Sequence, residues 1–295
     1  MIDFEELKKH HESDFPTFKL TEAFYKGTCA LESYISTVVI NILNNQIKLS
    51  KKEKAVIETY YRMYSWLQTV ISLNSLKHFQ GVASSCRSIY ELLLDENLLI
   101  YDLIENGLEK HLAFTKIERY RVAKQIVDYK SKYPESEIED ERQIELISIP
   151  GKQLEIENLI VKYWGMDKNS KPKKISHWSE MNVRYRAEKI DRAQNNGCFK
   201  YEELYVSSYP MLSWYIHSGS AGIENLKTES FETIIGNSHS IIQNCFLEAT
   251  RIIGIFMHIN QAMENFFRVI DMLKLEPGKF LIDEQIRLLK EAEKK

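Results

Sequence analysis

The sequence predicts an all-α protein, a bundle of long helices with an inserted charged helical arm. Three observations lead there. Glycine and proline are scarce, 11 and 6 in 295 residues, against usual shares of roughly 7% and 5%, which excludes collagen-like, low-complexity and turn-rich β chains. Hydrophobic residues make up 44% of the chain and recur at spacings of three, four and seven, the period of a buried helix face. No internal repeat and no strictly alternating run demands a sheet.

Taken in order, the first helix spans Thr21 to Lys48, with Phe24, Leu31, Tyr34, Ile35, Val38 and Ile42 on its apolar face. Ser50 followed by Glu53 is a capping box, in which each side chain satisfies the other's exposed backbone N–H. It opens a second helix through Val56, Tyr60, Met63, Leu67 and Val70. A third runs from Leu76 to Ile104 and ends near Asn106-Gly107, and a fourth covers Lys116 to Tyr133, stopped by Pro134. After the charged middle, a helix spans Tyr201 to His217 with Pro210 kinking or interrupting it. Ser218 to Gly222 is a turn. A long apolar helix then covers Ser238 to Leu275 and ends at Glu276-Pro277-Gly278. Residues 1–133 and 199–280 form the bundle core, 134–198 the arm, and 281–295 a charged tail.

The arm is marked by its charge. Glu135 to Glu157 carries eight acids against Arg142 and Lys152, and Lys162 to Arg192 carries nine Lys/Arg against four acids. Such segments are solvated faces or a contact surface for a protein partner, with a loop expected at 165–175. Over the whole chain the net charge is only −3, so no global field drives the protein onto nucleic acid or anionic lipid. The four cysteines, Cys29, Cys86, Cys198 and Cys245, have no CxxC or CxxH spacing and read as reduced thiols of a cytoplasmic protein. The N-terminal segment lacks the basic-then-apolar layout of a signal peptide. The apolar stretches at 33–47 and 204–223 fall short of the ~20 apolar residues of a membrane span.

Two clusters carry chemistry. In the third helix, Arg87 and Glu91 are four apart and share a face, flanked by Cys86, Ile89, Tyr90 and Leu94. A guanidinium in such surroundings must be bonded to something. His177-Trp178 opens the basic half of the arm, and Tyr205, Ser208 and His217 lie on the helix that follows it. If these elements meet, His217 is an acid or base, Glu91 its orienting carboxylate and Arg87 an anion clamp. The alternative is structural: a buried Arg–Glu pair tying helices together, and a histidine at a helix C-terminus complementing its dipole.

The pattern Arg87-x3-Glu91, His177-Trp178, and Tyr205-x2-Ser208 leading to His217 resembles an uncharacterised bacterial family of all-helical proteins. That resemblance, over residues 25–260, implies an α-helical fold and a polar pocket with His177, Trp178, Tyr205 and Ser208 as ligand-binding positions. It implies no established reaction.

In the last long helix, Arg251 and His258 are seven positions apart, which on a continuous helix puts both on one face, separated by about 10.5 Å. Asn244 and Glu248 extend the stripe. The spacing resembles the Arg-x4–6-His motif of HEPN-superfamily ribonucleases, found among bacterial toxins and phage-defence proteins. The resemblance implies a metal-independent endoribonuclease with RNA as substrate. His258 would work on protons, Arg251 would bind phosphate, and a homo-oligomer would build the cleft. Against that, a heptad-spaced polar stripe also fixes register at a helix seam. No P-loop, Rossmann glycine pattern, GxSxG or HExxH is present, and neither cofactor nor metal is expected. The expectation is thus a ribonuclease acting as toxin or defence effector, or a non-catalytic ligand-sensing or protein-binding helical module.

Overall fold

The computed structural model describes residues 19–73, 75–136, 147, 149–194, 199–216 and 228–259, and among these residues the regular structure is helical, without a strand. One isolated bridge joins Met166 and Pro172. In chain order, α1 is Lys19–Tyr34, prolonged by a π-helical turn, Ile35–Val39, into α2, Ile40–Asn44. Then come α3 (Lys51–Ser72), a 3-10 turn at Leu76–His78, α4 (Phe79–Ile100), α5 (Gly107–Lys132) and α6 (Lys152–Trp164). The remaining helices are α7 (Val183–Gln194), α8 (Tyr201–Ile216) and α9 (Thr228–Phe256).

Local signals explain where several of these start. Glu53 N–H donates to Ser50 Oγ at 3.2 Å and Ser50 N–H to Glu53 Oε2 at 2.7 Å, the reciprocal cap expected of the Ser-x-x-Glu spacing. Those bonds hold the Glu53 carboxyl below its usual range. At the start of α8, Asp191 takes the capping role, accepting from Tyr201 N–H at 3.0 Å and Glu202 N–H at 2.7 Å. α8 runs through Pro210 without ending. Val206, whose carbonyl loses its amide partner to that proline, is 61% exposed, so solvent serves it instead.

By packing, the chain divides into two units, one combining Met1–Ile100 with Ala187–Lys295 and the other formed by Tyr101–Arg186. In the first, α4 is the central element, packed against α3, α8 and α9, while α1 packs on α9. This is why α4 is apolar nearly all round, burying Val82, Cys86, Ile89, Leu93, Leu94 and Leu98. Tyr60 and Phe246 meet edge to face with centroids 6.1 Å apart, and the buried Tyr60 hydroxyl is bonded to Thr250 Oγ1 at 2.7 Å. Lys52 Nζ donates to the Ile100 carbonyl at 3.0 Å, closing the end of α4. In the second unit, α5 packs on α6, burying Ala113, Ile117, Ala123, Ile156, Ile160 and Trp164. The sequence places the arm at 134–198; packing instead ends the second unit at Arg186, assigns 187–198 to the first unit, and groups α5 with α6, whose apolar face it covers. Gly165, following α6 with φ +80° and ψ −165°, occupies a region open to glycine alone.

Two expected helices change at their ends. α5 begins at Gly107, well before Lys116, with Asn106 in the left-handed region ahead of it. The last helix begins at Thr228 and stops at Phe256, so a continuous helix from Ser238 to Leu275 is corrected. Met257 and His258 form a turn, with His258 at φ +55°. The 218–222 turn, Cys198, the acidic stretch 137–146 and everything beyond 259 lie outside the described residues.

One core group opposes stability. Glu96 on α4 is fully buried, and among the described residues neither carboxyl oxygen has a hydrogen-bond partner. Burial first, and then the charge of Glu248, pushes its pKa well above the ordinary 4.5, so folding favours the protonated form. Folded, it binds a proton that the unfolded chain has released, and stability therefore falls as pH rises above 4.5. Glu96→Met, of similar volume, is expected to raise the unfolding free energy at neutral pH by about 1–3 kcal/mol. The gain should shrink towards pH 4. Urea melts at two pH values read both; a loss of stability at neutral pH overturns the expectation.

Candidate functional site

Arg87 and Glu91, one turn apart on α4, meet Tyr209 of α8. Arg87 Nε donates to Glu91 Oε1 at 2.9 Å and to the Tyr209 hydroxyl at 2.8 Å, and that hydroxyl donates its own proton to Glu91 Oε1. The guanidinium also lies over the Tyr209 ring, 5.0 Å from its centroid. Tyr205, one turn earlier on α8, stacks on Tyr209 at 5.1 Å and 24°, and Tyr90 approaches from the other side at 5.8 Å. Tyr90 is itself fixed by donating to the Tyr201 carbonyl at 2.7 Å. The side chains of Arg87 and Glu91 are 27% and 32% exposed, so the cluster is rooted in the seam between α4 and α8 yet reaches solvent.

Burial and the bond to Glu91 push the Tyr209 phenol far up, with Arg87 offsetting only part. Burial pulls the Arg87 guanidinium down, but Glu91 and Tyr209 outweigh it and the net shift is upward. Phenol and guanidinium therefore keep their protons throughout the physiological range. What the arrangement offers chemically is a fixed cation, a fixed carboxylate, and a tyrosine stack beside them.

Ser208 does not join this cluster; its Oγ lies 3.2 Å from that of Ser207. His217 lies outside the described residues. Tyr209 was legible only as one of several tyrosines on its helix, and the signal that finds it is its i+4 spacing from Tyr205, which places the two rings on one face.

The Arg251 cluster is arranged differently from expectation. Arg251 Nε donates to Glu248 Oε2 at 2.7 Å and Nη2 to Glu248 Oε1 at 2.6 Å, a bidentate fork. Glu248 is buried and also faces Tyr201, whose hydroxyl shares its proton between Glu248 Oε1 at 2.9 Å and Asn97 Oδ1 at 3.0 Å. Gln194 Nε2 completes the network with a 2.8 Å bond to Asn97 Oδ1. Burial, then Glu248, drives the Tyr201 phenol strongly upward. His258 is exposed and lies past the end of α9, so the helical geometry that would put it on the Arg251 face does not hold.

In the second unit, His177 and Trp178 sit in the loop between α6 and α7, with ring centroids 5.7 Å apart. His111 of α5 meets Trp178 edge to face at 5.4 Å, and Phe114 flanks His177 at 6.3 Å. The Trp178 carbonyl accepts from Trp164 Nε1 at 3.0 Å. Of the arm lysines, Lys173 pairs with Glu180 at 3.1 Å, while Lys171 and Lys174 are exposed. Among the described residues no three His, Cys, Asp or Glu side chains gather where they could hold a metal ion, and no helix is long and apolar enough to cross a membrane. The Cys86 and Cys245 thiols are buried and pushed upward by that burial.

Fold and clusters together define an all-helical protein with a solvent-reaching Arg–Glu–Tyr cluster at a helix seam. The chain belongs to a family of unknown function (DUF5677), whose sequence model matches residues 53–233. No curated protein and no solved structure matches it. The matched span contains Arg87, Glu91, His177, Trp178, Tyr205, Ser208 and Tyr209, whereas Arg251 and His258 fall outside it.

Proposed function

We propose that this protein is a non-catalytic helical module that binds a nucleobase at Arg87, Glu91 and Tyr205. The observation that carries the reading is the pairing of a charged donor with a charged acceptor, 2.9 Å apart and partly exposed, beside a stacked tyrosine pair. Because Glu91 neutralises Arg87, the cluster is poorly suited to clamping a bare anion. An uncharged planar group suits it better: ring N–H groups give to a carboxylate, ring nitrogens or carbonyls accept from a guanidinium, and the flat face stacks on an aromatic ring. The ribonuclease reading has weaker support, since Arg251 is committed to Glu248 and His258 stands off the helix.

The base has two sources, a free nucleotide or a single-stranded RNA. Fluorescence titrations with purine and pyrimidine nucleoside monophosphates, and separately with a mixed-sequence RNA oligonucleotide, distinguish them. Saturable binding is expected in at least one arm. Tyr205→Ala should weaken it by about 5- to 150-fold, the 1–3 kcal/mol of one base–aromatic stack. Glu91→Gln should remove the preference among bases, and the RNA should be recovered intact. Absence of saturable binding in both arms, or wild-type affinity in Tyr205→Ala, overturns the proposal. RNA cleavage that His258→Ala abolishes would establish the ribonuclease reading in its place.

A further inference from the structure

In the second unit, α5 buries one side and leaves an apolar stripe on another. Its buried residues are Ala113, Ile117, Tyr120 and Ala123. Leu112, Val122, Ile126, Tyr129 and Tyr133 fall on a line about 140° round the helix from them, at 100° per residue. Thr115 and Arg119 fill the intervening positions, so the spacing alternates strictly between three and four from 112 to 133. Leu112, Val122, Tyr129 and Tyr133 are between 39% and 46% exposed. Tyr133 N–H still donates to the Tyr129 carbonyl at 2.8 Å, which carries the helical register to the end of the stripe, a length of about 32 Å.

Single exposed apolar residues are ordinary. A file of them held to a seven-residue repeat over three heptads is the seam at which a second helix packs. One end of it is already ordered: the Tyr129 and Tyr133 rings lie 4.8 Å apart, and Lys132 Nζ stands 5.3 Å over the Tyr133 ring. Charge narrows the choice of occupant. Lys116, Lys130 and Lys132 flank the seam and Arg119 lies within it. Among the described residues no carboxylate is ion-paired with any of these four. Glu118, beside them, is taken by Arg121.

We propose that this face of α5 docks an acidic amphipathic helix of a partner protein, about three heptads long. Its apolar stripe lies along Leu112, Val122, Ile126, Tyr129 and Tyr133, and its flanking Asp and Glu side chains meet the four cations. A second copy of the chain would set like charges against each other. Nucleic acid would use the cations and tyrosines but leave Leu112, Val122 and Ile126 without a counterpart. A lipid surface calls for a broader apolar face than this single file. The surface shares no residue with the Arg87 cluster, so this reading and the nucleobase reading stand or fall separately.

The test titrates the full chain into a fluorescently labelled synthetic peptide of three heptads, with Leu at a and d and Glu at e and g, and follows anisotropy. A second peptide carries Lys at e and g. Saturable binding of the acidic peptide at micromolar concentration is expected, with the basic one weaker by about tenfold or more. Tyr129→Ala should weaken the acidic peptide about thirtyfold, the scale of a truncated aromatic anchor. Lys116→Glu with Arg119→Glu should invert the order of the two peptides. All three positions are exposed, and circular dichroism reports whether each variant is folded. No saturable binding of the acidic peptide, equal affinity for both peptides, or an unchanged order in the folded charge-reversed variant overturns the proposal. So does tighter binding to phosphatidylserine vesicles or to a mixed-sequence RNA that the same variants abolish, or a dimer that Tyr129→Ala dissociates; each would assign the face to that occupant instead.

Discussion

Arg251→Ala is expected to lower the unfolding free energy by about 2–3 kcal/mol, whether or not any RNA is present. The substitution leaves Glu248, 7% exposed at its side chain, buried with the Tyr201 hydroxyl as its remaining donor among the described residues. Breaking one side of a buried ion pair ordinarily costs about 3–5 kcal/mol. Arg251 is 35% exposed and Tyr201 remains bonded to the carboxylate, so the cost falls at or below the lower end of that range. The double substitution Arg251→Ala with Glu248→Gln removes the stranded charge and should recover most of the loss. Urea unfolding of the three variants checks this, and an Arg251→Ala protein as stable as the wild type would show that the guanidinium is not needed to hold the seam together. The result also separates structure from catalysis, because a residue kept for phosphate contact would cost activity while leaving stability alone.

Acidification should destabilise the protein through His239. This residue of α9 is 1% exposed. Its Nδ1 lies 2.9 Å from Thr28 Oγ1, which donates to the Phe24 carbonyl at 3.0 Å and accepts from Gln243 Nε2 at 3.0 Å. With its proton already given away, Thr28 can only accept from the imidazole, so the neutral Nδ1–H form is the one that fits. Tyr25 packs edge-on against the ring at 5.9 Å. Burial lowers the pKa from 6.5 to about 4. Between those values the unfolded chain binds a proton that the folded one refuses, so stability is intact above pH 6.5 and falls as pH drops towards 4. The loss is about 2 kcal/mol by pH 5 and about 3 kcal/mol in the acid limit. In His239→Gln the slope of stability against pH over this window should flatten. Parallel slopes in variant and wild type would rule His239 out as the acid-sensitive group.

The two effects run in opposite directions with pH. His239 weakens the fold on the acid side, and Glu96 weakens it on the neutral and alkaline side. Both are buried titratable groups in the same unit, so the Glu96→Met variant should show the His239 slope more cleanly than the wild type.

What the sequence by itself determined is whatever depends on neighbours within about one helical turn. The Ser50–Glu53 cap formed as its spacing requires, the Arg87–Glu91 pair formed because residues four apart on a helix face each other, and the helical class follows from apolar period and scarce glycine and proline. Helix ends without a local stop signal were not legible: nothing around Met257 marks a break, and the seven-residue spacing of Arg251 and His258 meant a shared face only if α9 continued. Tertiary structure alone decided which polar groups meet. Tyr209 reaches Arg87 from 122 residues away, Glu248 is buried by Tyr201 and the helices around it, and Glu96 is stranded in the core. The physical reason is that periodicity says which face of a helix is apolar, whereas the partner of a buried charge is chosen by whichever side chain another helix brings within hydrogen-bonding range.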